Sequence, residues 1–415
     1  MPLSRHDRTG TGRRSLGVRV TCAAAAASMG VLLGACTDME AAGPSSEDHP
    51  PVSVEQATTV PSSTTVARSF GSVDSAVDSF VADHGLSGAG LVVVDREEGV
   101  VHEHYAGEFA ADRVSLVASS SKMLTAGVLM ALADQGLLDM DAPVAEQVDW
   151  EDVPSDITPA QLLSNSSGLV GLTTDPLFPP YICQYLAEGT LEECGRQIMT
   201  TTDDDERVVP PDTEFRYGGG QWQVAGAVAE AVSGRSWADL VEETYAEPCD
   251  VESLGYNNHF AQPHILGGNI PFEYPAGFRG DISVLTPTLN PNMEGGAFIT
   301  APDYAQLLLM HLRGGRCGDD QVLSTEAVDR MHSERVVATY GASTRSTETG
   351  GYGLGWWIDL DDPSHIEDGG AFGAVPWLDL DDGYGVYVVI EATNQVGDDL
   401  ADLIRPLIDD QMAKG

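Results

Sequence analysis

The sequence predicts an α/β chain of the α+β kind: an antiparallel sheet built from both chain ends, flanked by helices, with a mostly helical region inserted between them. Two observations carry this. Apolar, β-branched runs lie near the start of the folded part, at 88–95, and near its end, at 374–379 and 385–391. Between them the apolar residues recur at helical spacing, above all in the run 127–138, which reads as a buried helix.

Taken in order, residues 1–35 read as an export signal. Arg5, Arg8, Arg13, Arg14 and Arg19 precede an apolar stretch over 20–33 that is too short and Ala-rich for a good membrane span. It ends in Leu33-Gly34-Ala35-Cys36, which resembles a bacterial lipobox, so cleavage before Cys36 and lipidation of its thiol are expected. The mature chain is then exported and lipid-anchored on the outer face of the bacterial cell membrane. Residues 36–68, rich in Ser, Thr, Pro and acid, read as a disordered tether, and 69–415 as the folded domain.

Within that domain, residues 73–84 place Val77, Phe80 and Val81 at helical spacing and stop at Gly85. The strand 88–95 turns at Glu97-Glu98-Gly99 into 100–104, a hairpin. The buried helix breaks at Leu137-Leu138-Asp139-Met140-Asp141-Ala142-Pro143. Thr158 then serves as N-cap, with Pro159 at the first helical position. Asn165-Ser166-Ser167-Gly168-Leu169 is a turn, and 170–205 reads as loop-rich. Helices are expected at 221–232, stopped by Gly234, and at 237–247. Residues 250–295 are rich in Gly, Pro and Asn and read as loops rimming a cleft. Helices at 301–313 and 324–333, strands at 353–358, 374–379 and 385–391, and an amphipathic helix at 398–412 complete the chain.

The formal net charge of −43 argues against a nucleic-acid partner, because phosphate binding needs basic patches. So much acid reads as a solvated surface. Export makes disulfides possible. Beyond Cys22 and Cys36, four cysteines remain, and four allow three pairings. Cys183–Cys194, closing a short loop, is the first choice, which leaves Cys249–Cys317. No metal site is expected, since the cysteines lack close ligand spacing.

One stretch stands apart. The chain has only two lysines, Lys122 and Lys414, and Lys122 lies three residues after Ser119 at the mouth of the buried helix. Positions i and i+3 share a helix face, so Ser119 Oγ and Lys122 Nζ can meet there. A buried, desolvated lysine can shed its proton near neutral pH, which is what a serine nucleophile needs beside it. Of the three serines, only Ser119 has the lysine at i+3.

The order of motifs resembles the serine β-lactamase and penicillin-binding protein superfamily, in its class C, esterase and D-aminopeptidase branch. Ser119-Ser120-Ser121-Lys122 matches the Ser-x-x-Lys element. Leu162-Leu163-Ser164-Asn165-Ser166-Ser167-Gly168-Leu169, Pro211-Asp212-Thr213-Glu214-Phe215-Arg216-Tyr217, Gly295-Gly296 before Thr300-Ala301-Pro302-Asp303, and Gly353-Leu354-Gly355-Trp356-Trp357 follow in order. The resemblance implies a β-lactamase/transpeptidase-like fold and makes Tyr217 the second proton-transfer group. The family has an asparagine two residues after this tyrosine, which would bind the lysine and substrate amides. Here Gly219 stands in its place and is expected to leave room for a different acyl side. The third element, a strand beginning Lys-Thr-Gly or His-x-Gly, corresponds to Asp368-Gly369-Gly370-Ala371-Phe372-Gly373. Its glycines suit close approach of substrate, and the N–H groups of Ser119 and Ala371 would form the oxyanion hole. Asp368 stands where a cation is usual, and His365 replaces it only under a shifted register. Gly219, Asp368, Gly369 and Gly370 are thus the expected substrate contacts.

The resulting expectation is an exported serine hydrolase that forms an acyl-enzyme on Ser119 and needs no cofactor. Its substrate would be a small ester, an amide or a cell-wall peptide. A binding or sensor module that kept the fold and lost turnover is the alternative from another class, and a β-lactamase is a further one. Nothing in the sequence speaks to oligomeric state.

Overall fold

The two ends of the chain meet in one sheet. The computed structural model describes residues 67–172, 178–258, 278–285, 287–337 and 350–414. The expected signal, Cys36 and nearly all of the tether lie outside these residues, as does much of the 250–295 stretch. Helix α1 (Gly71–His84) ends where Gly85 takes a left-handed conformation, φ 62°. Strands β1 (Gly88–Asp95) and β2 (Gly99–Gly107) form the expected hairpin. Then come β3 (Val114–Leu116), a 3-10 turn (Ala118–Ser121) and α2 (Lys122–Asp134). α3 (Pro159–Leu163) carries a full capping box of Thr158 and Gln161. α4 (Leu191–Thr200), α5 (Gly220–Ser233) and α6 (Trp237–Val241) build the inserted helical region. β4 (Gly255–Tyr256), β5 (Ala297–Thr300), α7 (Ala301–Leu312), the short pair β6 (Arg316–Cys317) and β7 (Asp320–Gln321), and α8 (Thr325–His332) lead back to the sheet. β8 (Gly350–Tyr352), β9 (Trp357–Asp359), β10 (His365–Glu367), β11 (Ala374–Asp379), β12 (Tyr384–Val389) and α9 (Asn394–Met412) close the chain.

The main sheet runs β2-β1-β12-β11-β10-β9-β8, antiparallel throughout. β1 is buried along its whole length because both its faces are covered. Leu91 and Val93 pack with Val77 and Phe80 of α1 and Leu400 and Ile404 of α9. Val92 and Val94 face the larger core built around α2, α5 and α7. The period-2 alternation of a strand sorts these residues between the two layers. A small sheet, β3-β5-β4, stands beside the 3-10 turn. Cys183 pairs with Cys194 and Cys249 with Cys317, the favoured arrangement.

Several expectations are corrected. The buried helix starts at Lys122 and ends at Asp134 instead of spanning 127–138. Gly136 adopts φ 71° and Leu137 N–H returns to Leu132 O, a closure that stops the helix. The loop-rich stretch 170–205 contains α4, whose Thr190–Glu193 capping box is plain in retrospect. Residues 353–356 are a turn, not strand, because Gly355 adopts φ 85° against the start of α2. The stretch 368–373 does not begin a strand; it links β10 to β11. The last helix begins at Asn394, before the expected 398.

Candidate active site

The site is built on the turn that opens α2. Ala118 sits at φ 46°, a conformation that a non-glycine residue adopts only when its surroundings impose it. Those surroundings are specific. Ser121 Oγ donates to Ala118 O at 2.6 Å and accepts from Ala297 N at 3.0 Å. Ser120 Oγ donates to Asp368 O at 2.5 Å, and Tyr304 Oη donates to Ser120 O at 2.8 Å. Ser120 and Ser121 are fully buried and occupied in these bonds, whereas Ser119 is half-buried. Burial therefore singles out the same serine as the i+3 spacing.

Lys122 is fully buried. Its Nζ donates to Ser119 Oγ at 3.1 Å and to Glu294 O at 2.9 Å, and lies 3.8 Å from Glu294 Oε2. It also sits 4.6 Å from the centroid of the Tyr217 ring. The Tyr217 phenol lies close enough to Lys122 and Ser119 for both to favour its ionised form. Its ring stacks on Trp357 at 5.2 Å and meets Tyr352 edge-on. Tyr217, 98 residues beyond Ser119 in sequence, thus joins the serine and lysine in one cluster.

Charge in this cluster departs from expectation. Burial on its own pushes the Lys122 ammonium toward losing its proton. The negative charge offered by Tyr217, Glu294 and Asp368 outweighs that, so its pKa is raised, not lowered. Burial also raises the Tyr217 phenol, with the lysine opposing in part. The charge of each group thus bears on the titration of the other.

The loop carrying Tyr217 is held by Asn165, a residue not anticipated in this role. Its Oδ1 accepts from Gly218 N at 2.9 Å and from Trp222 Nε1 at 2.8 Å. The sequence signal was its position in the turn after α3. Gly219 does not leave room. It sits at φ 79° and ψ −163°, and a Cβ there would lie 2.6 Å from Gly171 C and 2.7 Å from Val170 O. The Glu294 carboxylate approaches instead, accepting from Gly219 N at 2.8 Å and from Tyr185 Oη at 3.2 Å. Glu294 was also unanticipated; an acid within the Gly/Asn-rich loop was its only mark.

The third element approaches the turn through Gly370, where a Cβ would lie 2.1 Å from Val117 O and 3.0 Å from Ser120 Oγ. Ala371 follows, exposed in the tight turn that Gly373 N closes onto Gly370 O. Gly369 is half-buried nearby. Asp368 is not at the open surface, which corrects its expected place among substrate contacts. It is fully buried, its Oδ2 accepting from Met123 N at 3.1 Å, so it caps α2 from another element. Burial raises its carboxyl well above the usual range. His365 does not take its place. Strand alternation turns His365 and Glu367 toward α9, where Arg405 binds both, and turns Ile366 toward the larger core with Asp368.

An antiparallel sheet between helical layers, with a serine, a lysine and a tyrosine gathered at the mouth of a buried helix, is the architecture of a serine hydrolase. The chain belongs to the Beta-lactamase family, whose model matches residues 73–409. It is similar to penicillin-binding protein 4 of Amycolatopsis lactamdurans, with 26% identity over 354 residues, 80% of this chain and 87% of that one. Its fold is similar to that of an octameric penicillin-binding protein homologue from Pyrococcus abyssi, with TM-score 0.60, 20% identity and coverage of 81% and 77%. It is likewise similar to that of EstCE1, a hydrolase with promiscuous acyltransferase activity, with TM-score 0.60, 18% identity and coverage of 80% and 98%.

Proposed function

We propose that the protein is an exported acyl-transferring serine hydrolase that works through an acyl-enzyme on Ser119. Ser119 Oγ attacks an ester or amide carbonyl and passes its proton to the Tyr217–Lys122 pair once that pair has lost a proton. Tyr217 then protonates the leaving alcohol or amine, and water releases the acyl group by the reverse route. The N–H groups of Ser119 and Ala371 hold the oxyanion. The observation that carries this reading is the 3.1 Å bond from Lys122 to Ser119, the accessible serine of its triplet.

Esters, D-amino-acid amides and muropeptides are favoured over β-lactams. Position 219 offers no amide side chain, and the residue at 368 is a buried acid where a cation would bind a β-lactam carboxylate. The likeness to a penicillin-binding protein supports a cell-wall peptide, and the likeness to EstCE1 supports an ester. A lipid anchor at Cys36 would hold the domain beside the cell wall. The two departures also favour a second reading, a sensor that is acylated and does not turn over. A fluorophosphonate probe should label the wild type and not Ser119→Ala; equal labelling of both sinks the assignment. Release of the acyl group from a short-chain ester then separates hydrolase from sensor, and radiolabelled palmitate incorporation, lost in Cys36→Ser, tests the anchor.

A further inference from the structure

The lysine in this site needs a partner, and the residue that would supply one at position 219 has no side chain. Glu294 reaches Lys122 from the opposite strand connection, just before β5. Its backbone carbonyl accepts from Nζ at 2.9 Å, and its Oε2 lies 3.8 Å from the same nitrogen. The same Oε2 accepts from Gly219 N at 2.8 Å, which ties the lysine's partner to the loop carrying Tyr217. Oε1 is fixed by Tyr185 Oη at 3.2 Å. Glu294 is buried, and a Cβ on Gly218 would come within 2.6 Å of Oε2, so the glycine at 218 is what lets the carboxylate in.

We propose that Glu294 is the positioning residue of the proton relay, a carboxylate that replaces the side chain missing at 219 and locks Lys122 against Ser119 and Tyr217. The part in the relay rests on the reading of Ser119 as nucleophile; the pairing of Glu294 with Lys122 stands apart from it. The groups facing Lys122 are Ser119 on its own turn, Tyr217 just before α5 and the Trp222 ring within it, Glu294 before β5 and Asp368 after β10. Asp368 is occupied by Met123 N–H. Glu294 is thus the carboxylate that touches the lysine directly and is braced at both oxygens. Its charge favours the ammonium, so the relay yields its proton at higher pH than an amide at this place would allow.

The chain's two lysines make the test direct. With 13Cε-labelled lysine the full chain gives one signal for Lys122 and one for Lys414. The Lys122 titration should move to lower pH by about one unit or more in Glu294→Gln. Glu294→Asp should move it less, since it keeps the charge and loses the reach. In parallel, the rising limb of the rate of fluorophosphonate labelling against pH should shift the same way, with about a tenfold lower rate below the limb's midpoint in the wild type than in Glu294→Gln. A Lys122 signal that titrates identically in wild type and folded Glu294→Gln overturns the proposal. If Glu294→Gln fails to fold, Glu294→Asp decides: an unchanged titration overturns, a smaller downward shift supports. Should the wild type itself not be labelled, the hydrolase reading fails while the lysine titration still decides the pairing.

Discussion

Replacing Gly219 by asparagine, the residue of the family pattern, should damage this protein instead of restoring a missing function. The position adopts φ 79° and ψ −163°, a region essentially reserved for glycine, so any side chain costs about 1–3 kcal/mol of backbone strain. The new Cβ would also meet Gly171 C at 2.6 Å and Val170 O at 2.7 Å, backbone atoms that cannot swing aside as a side-chain end can. Overpacking of that kind adds about 1–3 kcal/mol. The two together come to roughly 2–6 kcal/mol, a large share of a typical domain stability of about 5–15 kcal/mol. Urea unfolding followed by tryptophan fluorescence should show a lower midpoint with an unchanged slope. Fluorophosphonate labelling should slow at least about tenfold, because the strain falls on the loop that carries Tyr217 and the amide bound by Glu294. A Gly219→Asn protein with the wild-type midpoint and equal or faster labelling would refute the reasoning.

Three further expectations follow from other parts of the molecule. Gly370→Ala places a methyl 2.1 Å from Val117 O, so labelling of Ser119 should fall about tenfold or more at a cost of about 1–3 kcal/mol in stability; normal labelling would show that the turn yields freely. The Cys249–Cys317 bridge spans 68 residues and Cys183–Cys194 spans 11, so chain entropy assigns them about 4 and about 3 kcal/mol. Removing the longer bridge should lower the urea midpoint more, and the reverse order would contradict this. Asp398 is half-buried, and burial beside Glu367, Asp402 and Asp399 raises its carboxyl to about 6. The folded state then holds its proton more tightly than the unfolded state, so stability is lost as pH rises from about 4 through about 6. Asp398→Asn should gain about 1 kcal/mol at pH 7, after discounting for solvent screening, and nothing at pH 4. An equal gain at both pH values would exclude ionisation as the cause.

Much of the fold was legible because its signals are local. Thr158 and Pro159 start α3, Gly85 stops α1, and the apolar runs at 88–95 and 385–391 pair with each other as Leu91 with Val388. Where the reading failed, a neighbour distant in sequence had decided. Residues 353–356 look like strand by composition and are bent into a turn by the start of α2. The resemblance makes 368–373 the opening of a strand, whereas the stretch links β10 to β11 and Gly370 packs against Val117 O.

The active cluster divides along the same line. Sequence by itself determined that Ser119 and Lys122 would meet, since three residues of helical turn bring them together whatever the rest of the chain does. It also marked Tyr217 through an ordered series of motifs. Only the tertiary structure decided the lysine's company and therefore its charge. Glu294 lies 172 residues from Lys122, and Asp368 lies 245 residues from the Met123 amide it caps. From sequence, burial was the one visible influence on that lysine, and burial favours the neutral amine. In the fold, Tyr217 and Glu294, brought in from distant parts of the chain, lie against the same buried nitrogen, where a low dielectric magnifies their influence, and the ammonium is kept.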